Sequence, residues 1–166
     1  MVSPRVLLKT VLFTVLVPVT VAGVIPRVLA RWREHPRLPI GTSTGRVLGT
    51  ASILVGTVVY LHTAWRFAAE GSGTPSPSDE PDDLVTGGLY DHVRNPMYVG
   101  VLLVVVGQAL RYRSVSVLWW AAGCWLGFHN RVLEYEEPHL AEKHGERYDQ
   151  YREAVPRWLP RIGRSR

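Results

Sequence analysis

The chain has 166 residues, nineteen Lys/Arg against fourteen Asp/Glu, and a net charge of +5, which is one domain's worth of protein. Apolar residues make up 46% of it and charged residues 20%, and the two classes are segregated into long runs, which excludes an ordinary soluble domain. The single cysteine, Cys124, excludes an intrachain disulfide. The basic balance does not imply a nucleic-acid partner, because the arginines sit mostly in loops beside apolar runs, where they set topology and meet anionic lipid.

The first element is the run from Val6 to Ile25, interrupted by Lys9 and a few threonines. It exceeds the apolar core of a cleaved signal peptide and further spanning candidates follow, so it reads as a retained helix, with Pro18 marking a kink or a packing contact. Val47 to Leu61 is a second such run. With their flanks, both reach the ~20 residues a spanning helix needs. The stretch "GTSTG" from Gly41 to Gly45 lacks the Lys-Ser/Thr of a phosphate loop and reads as a turn. "EGSGTPSPSDEPDD", Glu70 to Asp83, is a turn-forming connector between two pairs of helices.

Two shorter runs follow, Val99 to Leu110 and Val115 to Phe128. As helices they rise only about 18 and 21 Å, against a hydrocarbon core of ~30 Å. Either they recruit polar flanks, Pro96 and Tyr98 at one end and His129 and Arg131 at the other, or they form a hairpin that does not cross fully. In both cases "GGLYDHVRNPMYVG" (87–100) comes to lie beside "FHNRVLEYEE" (128–137). Gly123 and Gly127 have the spacing of a close helix contact. Pro138 predicts a kink or restart, after which Pro138 to His144 suits a short helix stopped at Gly145. Tyr148, Tyr151 and Val155 repeat at helical spacing on the next helix, which "VPRWLPR" ends. This tail lies against the mouth of the hairpin.

The expected fold is therefore an all-α integral membrane protein with about four transmembrane helices. The last two form a short hairpin and a cytosolic helical cap follows. Residues 1–68 hold two helices and a polar loop, 69–83 a flexible linker, and 84–166 the core. Seven of the nineteen Lys/Arg lie on the side of the Pro26–Arg46 loop and twelve on the side of both termini, a lean toward cytoplasmic termini.

Most polar residues have a bland reading beside a functional one. His129, His139 and His144 lack the spacing of a metal site and read as surface histidines, so no metal is expected. Trp32, Trp65, Trp119 and Trp120 suit either an interface belt or packing. Arg94 reads as a snorkelling arginine or a site residue, and Tyr90 and Tyr98 as belt or site. Asn95 and Pro96 form a helix start, with Asn95 as cap, and its N–H groups would favour a carboxylate. Glu136 and Glu137 point about 100° apart on a helix and cannot share one small site. Glu134 and Glu137 read as a solvated helix end, and Glu136 as the one lining a pocket.

"LVTGGLYDHVRNPMYVG", the hairpin, and "EYEEPHLAEKHGERYDQYREAVPRWLP" together resemble the isoprenylcysteine carboxyl methyltransferase and phospholipid methyltransferase family over Leu84 to Pro160. The resemblance implies a membrane-embedded methyltransferase that uses S-adenosylmethionine, with its active site facing the cytoplasm and a lipophilic, membrane-associated acceptor that is a carboxylate, an amine or a thiol. It places Leu84, Val85 and Tyr90 beside the cofactor and Asn95, Pro96, Met97 and Tyr98 along its pocket. Glu136 would hold a polar end of the cofactor, and Arg131 would face the reacting group as the catalytic residue. Asn95 stands where the family commonly has histidine, which removes an imidazole from that position. Two alternatives remain open at this stage: an NADPH-dependent membrane reductase of the sterol type, and a non-catalytic membrane module.

Overall fold

The computed structural model describes residues 16, 18–32, 36–70 and 83–160. Most of the first predicted span and residues 71–82 of the predicted linker lie outside the described residues. A π-turn, Thr20–Val24, leads into α1 (Ile25–Arg31), followed by α2 (Thr42–Glu70) and a 3-10 turn, Gly88–Asp91. Then come α3 (Pro96–Tyr112), α4 (Val115–Arg131), a second π-turn (Val132–Glu136), α5 (Glu137–His144) and α6 (Glu146–Ala154). The described residues are helical with no strand; Arg37 and Ser114 form an isolated bridge.

The second apolar run becomes α2, longer at both ends than its apolar core. Gly41 to Gly45 is not a free turn, as the sequence had implied: from Thr42 onward it is the first turn of α2, and Gly45 lies against the Leu110 carbonyl. Over Thr42–Arg66, 25 residues, α2 is long and apolar enough to cross a bilayer, the one described helix that is. Its outer face carries Val47, Leu48, Leu54, Val55, Val58, Leu61 and Trp65, each more than half exposed, a surface suited to lipid rather than water. Helices α3 and α4 have 17 residues each, about 26 Å of rise, in keeping with the expected short hairpin.

What draws α2 and α3 together is a pair of glycine stripes that run past each other in opposite directions. A Cβ on Gly56 would stand 2.6 Å from the Gly100 carbonyl, and one on Gly107 would stand 2.7 Å from the Gly49 carbonyl. Seven residues separate the glycines on each helix, so both fall on one face, and Ser52 Oγ between them donates to the Leu103 carbonyl at 2.8 Å. Backbones this close contact each other directly. The pair expected to do this, Gly123 and Gly127, does not: both are exposed, with no described atom within 4 Å of where a Cβ would sit.

On its other side α3 meets α4 through Val101, Val105, Ala109, Val117 and Ala121, joined by Ala22. Side chains of the hairpin reach two carbonyls of the first π-turn. Gln108 Nε2 donates to the Ala22 carbonyl and Trp120 Nε1 to that of Val21, at 2.9 Å in the latter case. Trp120 is thus a packing residue, whereas Trp32, Trp65 and Trp119 face outward. At the far end of the hairpin Arg113 turns the chain in the left-handed region (φ 55°), and the Ser114 hydroxyl caps α4 by accepting from Val117 N–H at 3.3 Å. The restart expected at Pro138 is present: a new α-helix begins at Glu137 with Pro138 in its first turn and ends before Gly145. Backbone torsions stay helical through the junction, so the chain does not bend sharply, and the irregularity is the π-turn that ends at Glu136.

Candidate active site

The hairpin brings the two polar stretches together at its open end. Tyr98, in the first turn of α3, stacks on Phe128 of α4 with ring centroids 4.5 Å apart. Its hydroxyl donates to Glu136 Oε1 at 2.5 Å, and the same oxygen accepts from Arg131 Nε at 2.8 Å. Residues five apart on a regular α-helix point about 140° away from each other, so Arg131 could not reach Glu136. The second π-turn makes it possible: Glu137 N–H bonds back to the Val132 carbonyl, five residues earlier, and the widened turn stacks Arg131 over Glu136. The Arg131 side chain is 43% exposed and also lies over the Tyr135 ring, 5.2 Å from its centroid.

Glu137 is not the solvated helix end its neighbours had implied. It accepts two bonds from Arg157, at 2.6 and 2.8 Å, and pairs with Arg94 at 3.0 Å. The Arg94 and Glu137 side chains are 10% and 12% exposed, so Arg94 does not snorkel to solvent. Arg94 reaches Tyr148 Oη at 3.5 Å as well, while its Nε is buried with no partner among the described residues. The bonds to Glu137 raise the Arg157 guanidinium above its ordinary pKa. The two adjacent glutamates thus face different environments: Glu136 the open mouth, Glu137 a buried cluster of two arginines.

That cluster straps the C-terminal segment across the start of α3. Arg94 N–H donates to the Pro156 carbonyl at 2.9 Å, and Asn95 Nδ2 to that of Arg157 at 3.2 Å. Asn95 therefore begins α3 without capping it by its side chain, contrary to the sequence reading. Tyr151 Oη donates to the Tyr90 carbonyl at 2.8 Å, tying α6 to the 3-10 turn. Trp158 then enters the aromatic cluster. Its Nε1 donates to His129 Nδ1 at 3.2 Å, and its ring lies 6.4 Å from Tyr98 and 6.5 Å from Trp125.

Of the residues expected at the site, Tyr98, Glu136 and Arg131 meet directly. Pro96 is buried, and Met97 is half-buried in the same turn as Tyr98. Tyr90 is buried on the 3-10 turn, where desolvation, the Tyr151 phenol and then the charge of Glu136 and the Tyr98 phenol raise its pKa. Leu84 is buried and Val85 half-buried on the approach to that turn. Phe128, Trp158 and Arg157 had no role in the reading of the residues. Their signals, an aromatic one helical turn before Arg131 and a Trp-Arg pair between two prolines, carry no chemistry by themselves.

The fit to S-adenosylmethionine can be judged on these groups. Glu136 supplies a carboxylate for an ammonium and is only partly covered, with 26% of its side chain exposed. Arg131, which now occupies that carboxylate, is exposed enough to swing away. Tyr98 and Phe128 supply aromatic faces beside them. The residues present fit the group.

The chain is similar in sequence to known methyltransferases. The profile of the family described as phospholipid methyltransferase matches residues 44–147, from the start of α2 to the start of α6. A Schizosaccharomyces pombe protein-S-isoprenylcysteine O-methyltransferase is 40% identical over 80 residues, covering 48% of this chain and 34% of that protein. The Xenopus laevis protein of the same name is 32% identical over 120 residues, covering 70% of this chain and 41% of the relative. A methanethiol S-methyltransferase of Crocosphaera subtropica is 32% identical over 91 residues, covering 51% and 32%. The chain thus spans about a third to two fifths of the length of these relatives. One continuous match takes in α2, the hairpin with its Tyr98–Glu136–Arg131 mouth, and the start of the cap, and on that ground the chain belongs to the phospholipid methyltransferase family.

Proposed function

We propose that the protein transfers a methyl group from S-adenosylmethionine to the carboxylate of a lipophilic, membrane-held acceptor of the isoprenylcysteine kind. The observation that carries this reading is the Tyr98–Glu136–Arg131 constellation at the mouth of an apolar hairpin, in a chain of this family. The names of the relatives support the acceptor class, since most are O-methyltransferases of isoprenylcysteine. In this reading four helices span the membrane, the N-terminal pair being joined to the hairpin by residues 69–83, and the mouth faces the cytoplasm, where the cofactor is.

When bound, the cofactor supplies an electrophilic methyl on a sulfonium. Glu136 accepts hydrogen bonds from its ammonium, with Tyr98 holding the carboxylate in place. Leu84, Val85, Tyr90, Pro96 and Met97 enclose its apolar parts. Arg131, once displaced from Glu136, orients the acceptor carboxylate. Such a nucleophile is already anionic, so the chain needs to supply alignment and partial dehydration rather than a base.

The test is binding of labelled S-adenosylmethionine to the detergent-purified protein, followed by transfer to an S-farnesylated cysteine derivative. A charge-assisted bond contributes ~1.5–3 kcal/mol, so Glu136→Gln should weaken cofactor binding roughly ten- to a hundredfold. Arg131→Ala should leave binding unchanged or slightly tighter, because it frees Glu136, and should sharply reduce transfer. Equal loss of binding in both variants would make Arg131 a cofactor ligand or a structural residue. No loss in either would remove the cofactor from this mouth.

A further inference from the structure

The end of the molecule opposite the site has its own charge pattern. Among the described residues every Asp/Glu lies on the site's side of the chain. The opposite end carries Arg27, Arg31, Arg37, Arg46, Arg111 and Arg113, and among the described residues none of these forms an ion pair.

Three of the six converge. Thr42, Arg46 and Thr50 are spaced by four residues along α2 and therefore share one face. Two arginines reach onto that face from the end of α3: Arg111 donates to Thr50 Oγ1 at 2.6 Å and Arg113 to Thr42 Oγ1 at 3.2 Å. Exposed Arg46 lies between the two anchor points on the same stripe. The close glycine contact causes the convergence, because Gly45 and Gly49 bring Leu110 and Arg111 against the α2 backbone. Arg113 donates further to the Leu38 carbonyl at 3.3 Å, which fixes its guanidinium, yet its Nε stays buried with no partner among the described residues.

We infer that Arg46, Arg111 and Arg113 form a binding site for the phosphate of an anionic phospholipid. Guanidinium groups held by neutral hydroxyls keep their charge uncompensated and their forks in place for phosphate oxygens. Position selects a lipid over a free anion. The cluster sits at the start of the 25-residue apolar stretch of α2, where headgroups lie, and Val47 and Leu48 beside Arg46 are 67% and 53% exposed for acyl chains. This inference does not depend on the chemistry assigned to the hairpin mouth at the other end.

The experiment titrates the purified full chain in detergent with dioleoylphosphatidylglycerol, dioleoylphosphatidylcholine and inorganic phosphate, reading bound lipid by native mass spectrometry. Wild type should bind phosphatidylglycerol at least tenfold more tightly than phosphatidylcholine, and millimolar phosphate should not displace the lipid. An arginine near an anionic headgroup contributes about fivefold in affinity. Arg46→Gln, a change at an exposed side chain that leaves the Arg111 and Arg113 anchors in place, should lower phosphatidylglycerol binding by about that factor. The triple change Arg46→Gln, Arg111→Gln, Arg113→Gln should abolish the preference, and if it does not fold, the single variant decides. Equal binding of the two lipids by wild type, or an undiminished preference in Arg46→Gln, would overturn the site. Displacement of the lipid by inorganic phosphate would overturn the choice of a lipid as its occupant.

Discussion

Replacing Glu137 by glutamine should unfold the protein at a distinctly lower temperature, and replacing Glu136 should not. Removing one partner of a buried ion pair costs ~3–5 kcal/mol, because the other charge stays buried and uncompensated. Arg94 and Glu137 are both about nine-tenths buried, and Arg94 Nε already lacks a described partner. Arg157 is 29% exposed and can turn to solvent, so its share is discounted, and glutamine keeps an acceptor in place. The lower bound, about 3 kcal/mol, is therefore the fair figure. For a chain of this size that corresponds to a fall of roughly 6–12 °C in melting temperature. Glu136 and Arg131 are 26% and 43% exposed, so their pair is screened and contributes no more than ~1 kcal/mol. Thermal unfolding in detergent, followed by tryptophan fluorescence, gives both shifts. Arg94→Met in the Glu137→Gln background should recover part of the loss by removing the stranded charge. Equal shifts for the two glutamate variants, or a fall of under 2 °C for Glu137→Gln, would refute the assignment of separate duties.

Gly107→Ala should destabilise by ~1–3 kcal/mol or more through overpacking, because its Cβ would stand 2.7–2.8 Å from the backbone of Gly49 and Ile53. Gly123→Ala, in open space, should be neutral or slightly stabilising in the same melting assay. Burial raises the Tyr151 phenol above its usual 10.0, so the folded state holds a proton that the unfolded state releases. Its contribution to stability is complete below pH 10 and is lost as pH rises beyond it, and Tyr151→Phe should flatten that alkaline decline. Reporter fusions after Arg166 and within residues 36–45 should fall on opposite sides of the membrane, the first in the cytoplasm. A C-terminal reporter on the outside would reverse the proposed topology.

The helical class and the short hairpin were legible because apolar runs bounded by arginines and prolines leave few other solutions. The contacts between helices were not. Gly49, Gly56, Gly100 and Gly107 repeat every seven residues within each helix, but the match between them exists only once α2 and α3 are antiparallel in one register. Gly123 and Gly127 have a more familiar spacing and meet nothing described. A local spacing states that a close approach is possible; only a partner with its own gap at the same height turns it into a contact.

The same distinction governs the site. Adjacent glutamates on a helix must diverge, and this much was deducible for Glu136 and Glu137 from helix geometry alone. Which of them faced the mouth could also be read from the residues, but the environment of the other could not. Glu137 is buried because Arg157, twenty residues later, folds back onto it, and Arg94 meets it from another element. The π-turn was equally hidden, since "RVLEYEE" carries no glycine or proline before Pro138 to announce it. Yet this extra residue in the turn sets the register on which both duties depend. It stacks Arg131 over Glu136 at the mouth, and it brings Glu137 round to the buried arginines. With all five residues kept but wound as a regular α-helix, everything downstream would rotate by about 100° and both contacts could not survive. Deleting one residue of 132–135 removes the residue that the π-turn accommodates, so the downstream orientation, and with it both contacts, should be kept. A deletion variant that lost both the Glu137–Arg157 pair and the Tyr98–Glu136 bond, seen by double-mutant cycles on each, would refute the view that the π-turn carries one extra residue and so sets this register.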